Sequence, residues 1–217
     1  MATAATEDTR AHIIEAAGPI FADKGFQAAT IREICQAAGA NLASVNYYFR
    51  DKERLYLETV LRASEMRRAE VPLPQWPPET PPPERLQGFI HTIIQRMVLM
   101  RTAPWQVKLM NREILQPTEA CRDLIRAYFR PHFEMLLAIL DEMLPEGTPD
   151  HTRTQLGFSV VSQCLFYRLC EESVAMMVGE EELAAHYQGE QLAAHIARVS
   201  LAALGHGALV ERSELAS

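Results

Sequence analysis

Ala38-Gly39-Ala40-Asn41-Leu42-Ala43-Ser44-Val45-Asn46-Tyr47-Tyr48-Phe49, followed by Asp51-Lys52-Glu53, reads as the end of one short helix, a glycine turn and a second short helix. Gly39 supplies the positive-φ freedom that a sharp reversal needs, and Asn41 is placed to cap the next helix through its side-chain oxygen. Val45 and Phe49, four residues apart, point to one side. Ala43, Ser44, Asn46 and Tyr47 are left on the other. Small polar and aromatic side chains on the open face of a two-turn helix suit the major groove of B-DNA.

Upstream, Thr30 with Glu33 three residues on predicts a capping box, and Ile31, Ile34 and Cys35 form the inner stripe of a helix ending near Ala38. Ile13, Ile14, Ala17, Ile20 and Phe21 predict a first helix from about Thr9 to Lys24, stopped by Gly25, with Phe26 packing back. Pro19 interrupts it, so a kink or unusually tight packing is expected there. Downstream, Asp51 is placed to cap a fourth helix, Lys52 to about Glu70, striped by Leu55, Leu57, Val60 and Leu61. Residues 71–83, VPLPQWPPETPPP, hold seven prolines in thirteen positions and favour an extended, polyproline-like path. A proline-rich recognition ligand is the rival reading, although a PxxP core with flanking basic residues is missing.

Helical segments then follow at about Glu84–Met100, Pro104–Leu115, Glu119–Met143, His151–Val178 and Gln188–Leu204. The fold class is all-α: an N-terminal three-helix helix-turn-helix domain plus a larger helical ligand-binding and dimerisation domain. The expected division is a DNA-binding domain at 1–52, a connecting helix at 53–70, a proline-rich hinge at 71–83, a helical body at 84–205 and a tail at 206–217.

Composition narrows the function. Hydrophobic residues make up 48% of the 217, enough for a real core, and strand-like β-branched runs bounded by turns are missing. The net charge of −7 argues against a protein held on DNA by bulk positive charge. Residues 1–70 carry 9 Lys+Arg against 10 Asp+Glu, so the acidic excess lies in the body. No run is long and apolar enough for a membrane span, and MATAATEDTRAH lacks the layout of a signal peptide, so a cytoplasmic protein is expected. Cys35, Cys121, Cys164 and Cys170 are scattered in apolar helical surroundings, which suggests reduced thiols; a redox switch is the minor alternative.

Thr30-Ile31-Arg32-Glu33-Ile34, Ala38-Gly39 and Tyr47-Tyr48-Phe49-Arg50-Asp51-Lys52-Glu53 resemble the DNA-binding head of the TetR family of one-component transcriptional regulators. Asn46, where that family commonly has an aromatic residue, and Ala43, where glycine is common, bear on the operator sequence rather than on the fold. Arg112-Glu113-Ile114-Leu115-Gln116-Pro117-Thr118-Glu119-Ala120 looks like the subgroup whose C-terminal domain was long uncharacterised and which includes repressors of multidrug ABC exporters. The resemblance implies a dimeric regulator, released from operator DNA by a small molecule.

The candidate DNA-binding residues are Thr30, Arg32, Asn41, Ala43, Ser44, Asn46, Tyr47, Tyr48 and Lys52. Asn46 has the paired donor and acceptor that meet an adenine edge, Ala43 and the Tyr47 ring can touch a thymine methyl, and Thr30, Tyr47, Tyr48 and Lys52 suit phosphates. The bland reading of the two tyrosines is packing. A single head makes few contacts, so a homodimer on paired half-sites is expected. Leu156, Val160, Leu165 and Leu169, with Leu192, Ile196 and Val199, form stripes that suit a four-helix seam; the alternative is that they face only the subunit's own core.

Met97, Trp105, Met110, Phe129, Phe133 and Phe158, with Arg112, Gln163 and Tyr167 as polar handles, are candidates to line an adaptable cavity for an amphipathic effector, with core packing as the bland reading. Catalytic motifs are missing, the seven histidines lack a ligand spacing, and no cofactor or metal is expected. The competing class is a helical protein-interaction adaptor without sequence-specific DNA binding.

Overall fold

The structure, a computed structural model, describes residues 2–98 and 104–207, all of whose regular elements are helical. They are α1 (Ala2–Ala28), α2 (Ile31–Ala37), α3 (Leu42–Phe49), α4 (Lys52–Glu70), α5 (Pro82–Val98), α6 (Pro104–Leu115) and α7 (Glu119–Leu124). A π-turn (Ile125–Phe129) runs on into α8 (Arg130–Asp141), followed by α9 (Asp150–Leu169), α10 (Glu171–Val178), α11 (Glu180–His186) and α12 (Gly189–Ala203). Met100 and the tail beyond Gly207 lie outside the described residues.

The chain forms two compact units that divide at residues 70/71, 99/100 and 130/131. The first joins α1–α4 to α6, α7 and the π-turn; the second joins the proline-rich segment and α5 to the rest of α8 and to α9–α12. In the first unit Ile13, Ala17 and Phe21 of α1 meet Ile34, Val45, Phe49, Leu55 and Val60 from the next three helices, and Leu109 and Leu124 complete the core. Burying such side chains contributes about 1.5–3 kcal/mol each. Three groups tie the distant segments together. Lys108 pairs with Asp23 at 2.7 Å, Arg10 pairs with Glu58, which also holds Arg54 within α4, and Tyr56 donates to Glu113.

Helix α1 passes through Pro19 without a break and is kinked at Gly25, φ 74° and ψ 174°, beyond which one further helical turn runs to Ala28. Gly18, beside the proline, lies under the Trp105 ring, so close that a Cβ would stand 2.5 Å from it. That close approach of α6 is the tight packing the proline position calls for. A second proline, Pro131, has no N–H to return to the carbonyl of Ala127, and the helix just before it widens into the π-turn.

In the second unit the core is built from Leu86, Phe89, Ile90, Leu136, Ile139, Leu140, Val160, Cys164, Ile196 and Ala197. Leu73 and Trp76 of the proline-rich segment pack against this core, the indole lies over Gly88, and Arg96 Nε donates to the Val71 carbonyl at 2.6 Å. The expected single helix 151–178 divides at Cys170, where φ −110° and ψ 22° leave the α region. A helix unforeseen in the sequence, α11, begins on Glu180-Glu181-Glu182; carboxylates in a first turn stabilise the positive helix end.

Candidate nucleic-acid interface

Local chemistry builds the reading head. Thr30 Oγ1 accepts from the Glu33 N–H at 3.3 Å, and Glu33 Oε2 accepts from the Thr30 N–H at 3.0 Å and from its hydroxyl at 2.9 Å, the reciprocal capping box. Lys24 also binds Glu33, and these contacts, Lys24 first and then Thr30, pull the Glu33 carboxyl down to about 2. Gly39, φ 57°, turns the chain, and Asn41 Oδ1 accepts from the Ser44 N–H at 2.8 Å and from the Ser44 hydroxyl at 3.1 Å. Asp51 Oδ1 then caps α4 by accepting from the Arg54 N–H at 2.7 Å.

Between α3 and α4, Arg50 takes φ 67° and ψ −52°, and the Asp51 N–H donates to the Phe49 carbonyl at 2.8 Å, a γ-turn that is strained for a residue with a Cβ. Val45 and Phe49 are fully buried, as their spacing predicts. Ala43, Asn46 and Tyr47 are exposed, Tyr47 at 76%, whereas Ser44 and Tyr48 are half-buried; the two tyrosine rings meet edge-on at 5.0 Å.

Several candidates have local duties. Thr30 and Asn41 are exposed, with oxygens engaged in caps. Lys52 Nζ donates to the Gln27 carbonyl at 3.2 Å and lies 4.8 Å from the Phe26 ring centroid. Arg32 is exposed on α2. Leu42, 57% exposed, shares the open face with Ala43, Asn46 and Tyr47; the four-residue spacing to Asn46 was the signal that could have identified it.

The effector candidates divide between the units. In the first, Met110 is buried, Trp105 covers Gly18, the Arg112 guanidinium lies over Gly25, and Phe129 meets Tyr128 edge-on at 5.2 Å. In the second, Phe133 stacks on the 59%-exposed Phe158 at 4.6 Å, Gln163 donates to Ser159 of its own helix at 3.1 Å, and Tyr167 lies beside Tyr187 with its hydroxyl pKa raised by burial. The side chain of Met97 lies outside the described residues. Of the seam candidates, Val160 and Ile196 are buried in the second core, while Leu156, Leu165, Leu169, Leu192 and Val199 are half-buried.

The sequence reading missed a buried polar node. Glu113 is fully buried and accepts from Tyr56 Oη and from the N–H and hydroxyl of Thr118, the latter at 2.9 Å to Oε2. Burial and this carboxylate push the Tyr56 phenol up, and burial, then Glu113, raises the Cys121 thiol. Among the described residues there is no cluster able to hold a metal and no helix long and apolar enough to cross a membrane. Cys35, Cys121, Cys164 and Cys170 are free thiols, and burial pushes Cys164 up to about 12.

Comparison with known proteins agrees with this geometry. Residues 13–59 match the model of bacterial regulatory proteins of the tetR family, and residues 82–204 match the C-terminal domain of the HTH-type transcriptional dual regulator CecR. No curated protein matches the sequence. Among solved structures, HlyIIR, a hemolysin II transcriptional regulator, is 20% identical over 87% of this chain and 97% of its own, with TM-score 0.56. A TetR-like regulator from Rhodococcus sp. RHA1 is 16% identical over 91% and 96%, with TM-score 0.63. AibR, solved with isovaleryl coenzyme A and operator DNA, is 18% identical over 88% and 97%, with TM-score 0.59. At these identities the structural likenesses establish the fold. With a matched helix-turn-helix head and a matched C-terminal domain covering more than half of its length, the chain belongs to the TetR family of transcriptional regulators and carries a CecR-type C-terminal domain.

Proposed function

We propose that the protein is a homodimeric repressor whose two heads grip paired operator half-sites and release them when a small amphipathic molecule binds the helical body. The observation that carries DNA reading is α3 itself: capped by Asn41, anchored by Val45 and Phe49, and open on the face of Ala43, Asn46 and Tyr47. Arg32, Lys52, Thr30 and Tyr48 are the proposed phosphate contacts, with Ser44 and Asn41 fixing the helix start.

Pairing is argued from contact number, since one short helix per head gives too few base contacts for specific binding. The half-buried Leu165, Leu169, Leu192 and Val199 are the proposed seam, with Leu156, Val160 and Ile196 supporting it from beneath. For the effector, the structure of AibR with both an acyl-coenzyme A and operator DNA supports ligand response in this fold. Trp105, Met110, Arg112 and Phe129 in one unit and Phe133, Phe158, Gln163 and Tyr167 in the other are the proposed sensing residues, together with Met97. Binding that changes the spacing of the heads disfavours the operator-bound state.

The test is a gel shift on the promoter region of the protein's own gene, with light scattering for the mass in solution, followed by titration with acyl-coenzyme A thioesters and amphipathic drugs. Retarded dimer that dissociates on ligand addition is the expected result. A strictly monomeric chain, or binding indifferent to sequence, refutes the regulator reading; ligands that bind without releasing DNA refute the effector arm alone.

A further inference from the structure

The outward face of α3 carries a chemistry narrower than a general DNA reader. Its exposed side chains are Leu42, Ala43, Asn46 and Tyr47. Leu42 and Asn46 stand one helical turn apart, as do Ala43 and Tyr47, so two adjacent rows face outward. Nearby polar groups are already committed: Asn41 Oδ1 holds the helix start, and the Ser44 hydroxyl donates to that same oxygen. The uncommitted polar groups on the outward rows are then the Asn46 amide and the Tyr47 phenol, and of the two only the amide sets a donor and an acceptor side by side, the arrangement that pairs in bidentate fashion with a base edge.

An amide presents one donor and one acceptor, which matches N7 and N6–H₂ of adenine. Guanine offers two acceptors and is read by arginine or lysine; α3, Leu42–Phe49, contains neither. Cytosine offers a donor sought by a carboxylate, and α3 contains none. Apart from the Tyr47 hydroxyl, what remains of this face is apolar surface. A leucine more than half exposed at the first position of a helix, beside an exposed alanine, has no packing role in the first core. In the major groove the apolar feature is the thymine C5-methyl group.

We infer that Leu42 is a specificity-determining residue, and that each head selects a half-site whose contacted core is A·T, with Leu42 and Ala43 covering thymine methyls and Asn46 pairing with an adenine edge. The inference rests on the operator-binding reading above and specifies its substrate. Cations off the helix, such as Arg32 and Lys52, contribute phosphate contacts that do not discriminate bases.

The experiment selects duplexes from a randomised DNA library with the full-length protein, then replaces thymine by uracil in the selected core. Uracil pairs as thymine does and lacks only the methyl. Enriched half-sites with A·T pairs under α3 are expected, and each uracil that removes a covered methyl weakens binding about fourfold, the value of one buried methyl-sized group. Leu42→Ala, which changes an exposed side chain and is checked for an unaltered melting curve, loses the thymine-over-uracil preference at one position of the core and keeps it at the methyl that Ala43 covers. Asn46→Ala loses roughly tenfold at the adenine position and tolerates other bases there.

Enriched cores of G·C pairs, indifference of the wild type to uracil, or wild-type uracil discrimination at every position by Leu42→Ala each overturn the inference while leaving operator binding intact. Failure to enrich any duplex overturns both readings.

Discussion

The carboxylate of Glu33 accepts from Lys24, from the Thr30 hydroxyl and from the Thr30 backbone N–H, so one exposed acid ties the end of α1 to the start of α2. Those contacts hold it at about 2, below its ordinary 4.5. Folding thus favours the ionised form. The stability it contributes is whole above about pH 4.5 and fades as pH falls toward 2. Urea titrations of wild type and Glu33→Gln at several pH values should show a gap that is constant near neutrality and closes over that acid window. A gap independent of pH would assign the effect of the substitution to something other than the carboxylate charge. The same pairing occupies Lys24, which consequently adds little free positive charge to the DNA-facing side. Residues like these are readable without a structure, because a capping box is a local pattern: Thr30 and Glu33, Asn41, Gly39 and Asp51 all do what their spacing implies.

Between elements, the decisive contacts join residues far apart in sequence. Gly18 sits where the Trp105 ring would stand 2.5 Å from a Cβ, and no local pattern announces that partner. Gly18→Ala should therefore push α1 and α6 apart and destabilise the first unit by about 1–3 kcal/mol, despite alanine's better helix propensity. An unchanged or raised denaturation midpoint would show that the ring moves aside without cost. Glu113 is the polar counterpart, since Tyr56 and Thr118 give the fully buried carboxylate the donors it needs. Tyr56→Phe keeps the ring and removes one donor, and is expected to cost about 1–3 kcal/mol by chemical denaturation. A double mutant with Glu113→Gln should cost less than the two single changes added together, because the pair shares one interaction. Strict additivity would mean that the contact carries no coupling. The sequence shows Glu113 beside Asn111 and Arg112, as an ordinary acid of a mixed helix, and its partner on α4, 57 residues earlier, is beyond any periodicity argument. The break at Cys170 and the extra helix α11 escaped for a different reason: hydrophobic period continues through the first, and the second is polar on its exposed faces.

Across the whole chain, the unit holding the reading helices also takes α6, α7 and the π-turn, while α5 belongs to the other unit. The all-α class and the helix-turn-helix head were legible because both are written in local periodicity and turn chemistry; this out-and-back path of the chain was not, because it depends on long-range pairs such as Lys108 with Asp23. Charge is distributed with similar consequence. The molecule carries −7, and residues 1–70 are nearly neutral, so affinity for DNA must come from a few placed cations. Arg10 and Arg54 are paired with Glu58 and Lys24 with Glu33, which leaves the exposed Arg32 and Arg50 and the half-buried Lys52 in each head. Three such cations in each of two heads give roughly six phosphate contacts, and a slope of log affinity against log salt on the order of −5. Fluorescence anisotropy on a selected operator across a potassium chloride series measures this slope. Arg32→Ala, present in both copies, should make it shallower by about two units while leaving the base preference unchanged, since a phosphate contact positions the head and carries no sequence information. A slope that does not move would remove Arg32 from the phosphate contacts, and a changed base preference would place it in the groove instead.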